Sequence, residues 1–330
     1  MSQPSESEPS AAQRIRDAAT AMRSHRSRPC LLYVSRQVAH SDVLAMREAC
    51  ETLETDVLDV VISSPGGDLE AAYLVARDLR RRAKHLCVYV PFRAKSAASL
   101  ICLAADELVL GSLGELGPLD QQYDEKMAAD FPLNTSRLLL QTALTELQDQ
   151  AVSCYDAAMQ RILRQSGMRP FEACSKAAEF TGNLYGPLLA RLDPARLAES
   201  ARGLALGRAY ASRLLRRYRP ALPEADRDRQ LDRLVRGYPA HSFVVDREEA
   251  AELGLPVRPP DPMEEALLER LAYALIEFDT EQDLIALAGP PPKAVAAAPK
   301  VNRRLPRKVK SAPFSSRRRQ RKVGQEDTVK

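Results

Sequence analysis

DVVISSPGGDLEAAYLVARDLR, residues 59–80, joins a short β-branched apolar run to a turn with two adjacent glycines and then to a run rich in leucine and alanine. The apolar run, within 57–63, reads as a buried strand. Leu69, Tyr73, Ala76 and Leu79 recur at helical spacing, which predicts a helix from about Leu69 to Arg82. The glycines between them allow a tight turn and a close approach of backbone to a ligand, although any strand-to-helix turn can need glycine for its geometry alone.

The next stretch repeats the alternation. LCVYVP (86–91) reads as a strand, SAASLICLAA (96–105) as a helix and ELVLG (107–111) as a further strand. Upstream, CLLYVSR (30–36) is a short strand, followed by a helical stretch near 41–53. Strands alternating with helices at this interval imply parallel pairing through crossovers, an α/β core over residues 29–132. From residue 133 to 240 the pattern becomes helix after helix, with segments near 171–179, 194–217 and 223–236 after one long helix. Residues 241–288 form a small C-terminal segment: HSFVVDREEAAELGL reads as strand, turn and helix, and EEALLERLAYALIEFDTEQDLIAL (264–287) as one or two helices.

The ends differ from the body. The first 28 residues are polar, charged and without a secretory apolar region, and are expected to be disordered. Residues 289–330 hold 13 Lys or Arg against two acidic residues, a net of +11; the whole chain carries +4, so the body carries about −7. This tail is rich in Pro, Ala, Ser and Arg and is also expected to be disordered. It is either a solvated appendage or an arm for nucleic acid or an acidic partner surface. No apolar run approaches the roughly 18 residues of a membrane span, and the expected location is cytoplasmic. Six cysteines without a CxxC pair read as reduced, packed thiols, not a metal or disulfide framework. GxGxxG and GxxxxGK[ST] are both missing, so nucleotide phosphates are not indicated.

AKSAASLICLAADELVLG (94–111) raises a sharper question, because it sets two hydroxyls and a lysine at the mouth of an apolar helix. Serine there can cap the helix. It can also stand beside backbone N–H groups that stabilise an oxyanion.

Taken together, SSPGGDLEAAYLVARDLR and VPFRAKSAASLICLAADELVLGSLGELGPLDQQ closely resemble the Clp-fold serine peptidases, which include the Clp protease proteolytic subunit and signal peptide peptidase A. Within that group the nearest likeness is to the serine dehydrogenase proteinase family. The resemblance covers residues 29–125, and HSFVVDREEAAELGL resembles a further family segment. It implies a crotonase-like spiral of ββα units, here with a large helical addition, and a self-associating peptidase that acts on polypeptides without a cofactor or metal. The family's nucleophile falls on Ser96, and its oxyanion donors on the N–H groups of Gly67 and Ala97, with Gly66 shaping the turn.

The base is less defined. Clp-type subunits use His and Asp from the segment after the nucleophile helix, whereas signal peptide peptidases use a lysine. That segment here, LGELGPLDQQYDEKMAADF, has no histidine, which favours a Ser-Lys dyad with Lys126. Such a lysine must be buried enough to lose its proton. Lys95 adjoins Ser96 and reads as a substrate or structural contact, while Arg137 cannot serve, since guanidinium stays protonated. His241 could fold back over the site as a base or simply pack near the surface; Asp120 reads as a turn residue, and His25, His40 and His85 have no evident companions. Two other readings share the residues: a catalytically silent scaffold that binds partners through its tail, and acyl-CoA chemistry of the crotonase type, for which the sequence offers neither a placed carboxylate nor a CoA motif.

Overall fold

A computed structural model describes residues 9–119, 137–278 and 283–289. In chain order its first half holds α1 (Ala11–Arg26), β1 (Cys30–Val34), α2 (His40–Ala49), β2 (Thr55–Ser63), α3 (Leu69–Arg82), β3 (Ala83–Val90), β4 (Arg93–Ala94), α4 (Ala97–Cys102), β5 (Glu107–Leu110) and β6 (Glu115–Leu116). The second half is mostly helical: α5 (Arg137–Ser166), α6 (Pro170–Leu189), α7 (Pro194–Tyr218), α8 (Glu224–Arg236), α9 (Arg247–Glu252) and α10 (Pro262–Glu277), closing with β7 (Leu284–Leu287). No helix among the described residues is long and apolar enough to cross a membrane.

The result is a mixed α/β fold with a parallel-rich sheet and many helices. The five-stranded sheet runs β5-β3-β2-β1-β7, parallel throughout except for β7, which pairs antiparallel to β1. A parallel sheet is covered on both faces, and the strands accordingly read as unbroken apolar runs. Alternation sorts their side chains. Leu31, Tyr33, Leu58, Val60, Ile62, Leu86 and Val88 join the core that includes α2, α3 and α4, while Leu32, Val34, Val61, Cys87 and Tyr89 join the core built with α1 and α10. The six cysteines are all free, as expected from their spacing.

Two expectations are corrected. The N-terminal segment is not disordered over 11–26: α1 is an amphipathic helix whose Ile15, Ala18, Ala19 and Met22 are buried. Half of its stripe is alanine, a small side chain, yet the spacing i, i+3, i+4, i+7 is that of a packed face. Ser10 caps it, and His25 reaches Asp261 of α10 at 2.9 Å. Residues 284–287, expected to be helical, form β7, because β1 would otherwise present an unpaired edge. The expected disordered tail lies outside the described residues apart from Gly289.

Charges are buried where α1 and α10 meet the sheet. Glu264 is fully buried; it accepts hydrogen bonds from Arg258 at 2.7 and 2.9 Å and from the Tyr89 hydroxyl at 2.8 Å, and it pairs with Arg26 at 3.1 Å. Asp59, on β2 between Cys30 and Cys87, is also fully buried, but neither of its carboxylate oxygens has a hydrogen-bond partner. Arg28 and Arg26 stand 3.7 and 3.8 Å away. Burial outweighs their pull and pushes the Asp59 carboxyl up to about 6 from its ordinary 3.8.

The folded chain therefore holds a proton on Asp59 at pH values where the unfolded chain has released it. This group should make the protein more stable as pH falls through about 6, with the gain complete below 3.8. The gain amounts to about 1 kcal/mol between pH 7 and pH 5. Urea unfolding of the parent and of Asp59→Asn at the two pH values should show that increment only in the parent. An equal pH dependence in both would contradict it.

Candidate active site

β2 ends in Ser63, and the chain then turns through Ser64, Pro65, Gly66 and Gly67 into α3. Both glycines hold positive φ, +110° and +148°, a region that side chains rarely enter. The turn is clamped on two sides. On one side the Ser64 N–H donates to Arg93 O at 2.9 Å and the Lys95 N–H to Ser64 O at 3.0 Å. On the other, the Val38 N–H donates to Gly66 O and the Asp68 N–H to Val38 O, both at 2.8 Å. Asp68 also caps α3 through the Ala71 N–H at 2.6 Å.

These clamps carry the turn against the start of α4. Ser96 precedes that helix with φ +50° and ψ −119°, one of two non-glycine residues with positive φ among the described residues. Such a conformation costs on the order of 1–3 kcal/mol and persists only where its surroundings enforce it. Capping does not explain it, because the Ser96 side chain makes no cap hydrogen bond. Ser96 as a whole is 6% exposed. A Cβ placed on Gly66 would lie 2.7 Å from Ser96 Cβ and 2.8 Å from Lys95 O, so only glycine lets the turn approach this closely.

The structure thus brings Ser96, Ala97, Gly66 and Gly67 to one place. Among the described residues, the N–H groups of Gly67 and Ala97 donate to no acceptor, whereas their neighbours are paired: Gly66 to Ser64 Oγ at 3.2 Å, Asp68 to Val38 O, and Ala98 to Lys95 O at 2.9 Å. A hydroxyl on a strained turn beside two open donors is an arrangement suited to attack on a carbonyl. The described residues contain no group of three or more His, Cys, Asp or Glu able to hold a metal ion.

Lys95 is a structural contact. Its ammonium pairs with Glu115 at 3.2 Å and donates to Phe243 O at 3.0 Å, and its stem passes close to Gly117. Those contacts also position the segment that carries His241. Phe243 lies two residues beyond it, and Val245 pairs with Leu116 through reciprocal hydrogen bonds of 2.9 and 3.1 Å. Lys126 and Asp120 lie outside the described residues.

Other assignments change. His25, His40 and His85 do have companions, namely Asp261 at 2.9 Å, Asp68 at 3.9 Å and Glu107 at 3.1 Å. These partners are distant in sequence and invisible to spacing. Sequence reasoning also missed Ser64 and Val38, which hold the glycine turn; the paired serines at the strand end were the available signal. Ser99 also supports the site. Its hydroxyl donates to Ala94 O at 2.5 Å and accepts from the Gly117 N–H at 3.0 Å, tying β4 and the loop after β6 to α4.

The signature of the family described as ClpP-like SDH-type serine proteinase matches residues 33–165. Two uncharacterized proteins of Methanocaldococcus jannaschii are similar over shorter stretches. MJ1495 is 36% identical over 80 residues, 24% of this chain and 27% of its own length. MJ0137 is 30% identical over 105 residues, 32% of this chain and 35% of its own length. The chain therefore spans about a third or less of the curated relatives it matches. No solved structure matches it.

Ser99→Ala should leave the buried Gly117 N–H without a partner and cost about 1–3 kcal/mol. Denaturant unfolding reads this directly, and an unchanged midpoint would remove Ser99 from the support of the site.

Proposed function

We propose, on the premise that residues 33–165 belong to the ClpP-like SDH-type serine proteinases, that the protein hydrolyses peptide bonds through an acyl-enzyme on Ser96. The observation that carries this reading is the positive-φ serine held against Gly66 beside the open N–H groups of Gly67 and Ala97. The Ser96 hydroxyl oxygen attacks the carbonyl carbon and its proton passes to a base. The resulting oxyanion accepts hydrogen bonds from Gly67 and Ala97, each worth roughly 3 kcal/mol of transition-state stabilisation. Collapse expels the amine, which takes the proton back from the base. Water then attacks the ester by the same route in reverse, releasing the acid and restoring the serine.

Lys126 is the base in this account. A lysine can take the serine proton only when neutral, so its pKa must fall toward the working pH, and activity should rise with pH through that lowered value. His241 is the competing candidate, supported by the docking of its segment along β6 and Lys95. We assign a crotonase-like spiral to the core. It is supported by the four parallel strands and by the short β4 and β6 pair, which forms its own two-stranded sheet over the turn. Polypeptide substrates and self-association follow from the same family reading.

The test uses a fluorescein-labelled unfolded protein as substrate. Ser96→Ala should lower hydrolysis by at least about a thousandfold, and loss of the true base should do nearly the same, because the two act as a unit. Collapse in Lys126→Ala with activity kept in His241→Ala identifies the dyad, and the opposite pattern makes His241 the base. Hydrolysis unchanged in Ser96→Ala would overturn the mechanism and leave the scaffold reading.

A further inference from the structure

The chain outside its tail carries a net charge of about −7, yet one face of the folded body gathers several arginines. It is formed where α3 packs beside α7. Tyr73 of α3 stacks on Tyr210 of α7 with ring centres 4.7 Å apart and planes 19° from parallel. One turn further along, Arg77 lies over the Tyr73 ring and Arg213 over the Tyr210 ring, each at 5.9 Å. Beyond them Arg80 and Arg217 both pack on Tyr218, at 4.8 and 5.6 Å. The two helices therefore present a ladder of alternating rings and guanidinium groups.

Several arginines of α3 and α7 are paired with carboxylates. Arg80 pairs with Asp106, Arg82 with Asp78 at 3.1 Å and Arg216 with Glu224 at 3.1 Å. Among the described residues, Arg77, Arg81, Arg213 and Arg217 have no carboxylate within 4.0 Å. Arg81, Arg213 and Arg217 are exposed. Four uncompensated cations would repel one another, and an anion relieves that repulsion.

The chemistry of the anion follows from the arrangement. The cations form a row along two helices, with Arg213 and Arg217 about one 5.4 Å turn apart, so the row fits a chain of anions better than one phosphate or carboxylate. A guanidinium beside a tyrosine ring, as in Arg77, Arg213 and Arg217, has edge donors for phosphate oxygens and a plane on which a base can stack. We propose that the α3–α7 face binds single-stranded nucleic acid through phosphate contacts to Arg77, Arg213 and Arg217 and base stacking on their guanidinium planes. This site is separate from the basic tail and does not rest on the proteolytic reading.

The experiment measures binding of the full chain to fluorescein-labelled oligouridine by anisotropy across a salt series, with inorganic polyphosphate as a second probe. Arg77→Gln/Arg213→Gln/Arg217→Gln should weaken oligouridine binding by at least about tenfold and lower the log–log salt slope by about 2, roughly 0.7 for each lost phosphate contact. Circular dichroism and urea unfolding should match the parent. Arg77→Lys/Arg213→Lys/Arg217→Lys keeps the charge but not the planar face, so it should weaken oligouridine binding while leaving polyphosphate binding unchanged. Parent-like oligouridine binding by the glutamine variant would assign the affinity to the tail and overturn the proposal. Equal effects of the lysine variant on both probes would overturn base stacking. Tighter binding to phosphatidylserine vesicles than to oligouridine, lost in the glutamine variant, would make the face a membrane surface instead.

Discussion

The contact between Gly66 and Ser96 governs the geometry of the candidate site. The backbone of one turn lies where a side chain would otherwise stand, 2.7 Å from Ser96 Cβ if a Cβ were present. That proximity requires hydrogen bonds from both flanks. Ser64 pairs with the β4 strand and Val38 grips the glycines, so the turn is fixed between β4 and the loop that joins β1 to α2. Ser96 keeps an unfavourable backbone conformation because the segments flanking it, Ser64, Lys95 and Ala98, are already committed to other partners. Its hydroxyl is thereby left uncommitted to the helix it precedes, as the proposed chemistry requires.

The second organising feature is the charge buried under α1 and α10. Arg258 joins Glu107 at the start of β5 to Glu264 at the start of α10, and Arg26 joins the same glutamate to α1. This network, with β7 on the edge of β1, ties α1 and α10 to the face of the sheet opposite α3 and α4. Buried pairs of this kind are costly to assemble and costlier to break singly. The Asp59 carboxylate accepts no hydrogen bond, so its burial is incompletely compensated, and its raised pKa expresses that.

The legibility of the sequence follows the same physics. Helix α3 was readable at both ends because Asp68 caps it, a regular apolar face fills it and three arginines close it. The strand runs and the SPGG turn were readable because glycine and β-branched residues have local conformational meanings. Local signals failed where tertiary partners decide. Helix α1 has a stripe, half of it alanine, that only the facing α10 makes a core, and Leu284–Leu287 becomes a strand only because β1 has a free edge. Ser96 was legible from the family pattern, but its strained backbone and the Val38 clamp were not. The carboxylate partners of His25, His40 and His85, and the Arg–Tyr ladder between α3 and α7, join residues too far apart in sequence for spacing to connect.

The central claim is that Ser96, Gly67 and Ala97 converge on one reacting carbonyl. A crystal structure of the protein treated with a peptide aldehyde tests it most directly. The account predicts a covalent bond from Ser96 Oγ to the former aldehyde carbon, with the hemiacetal oxygen about 3 Å from both the Gly67 and Ala97 nitrogens. An adduct on another residue, or one on Ser96 whose oxygen points away from those two amides, would contradict it.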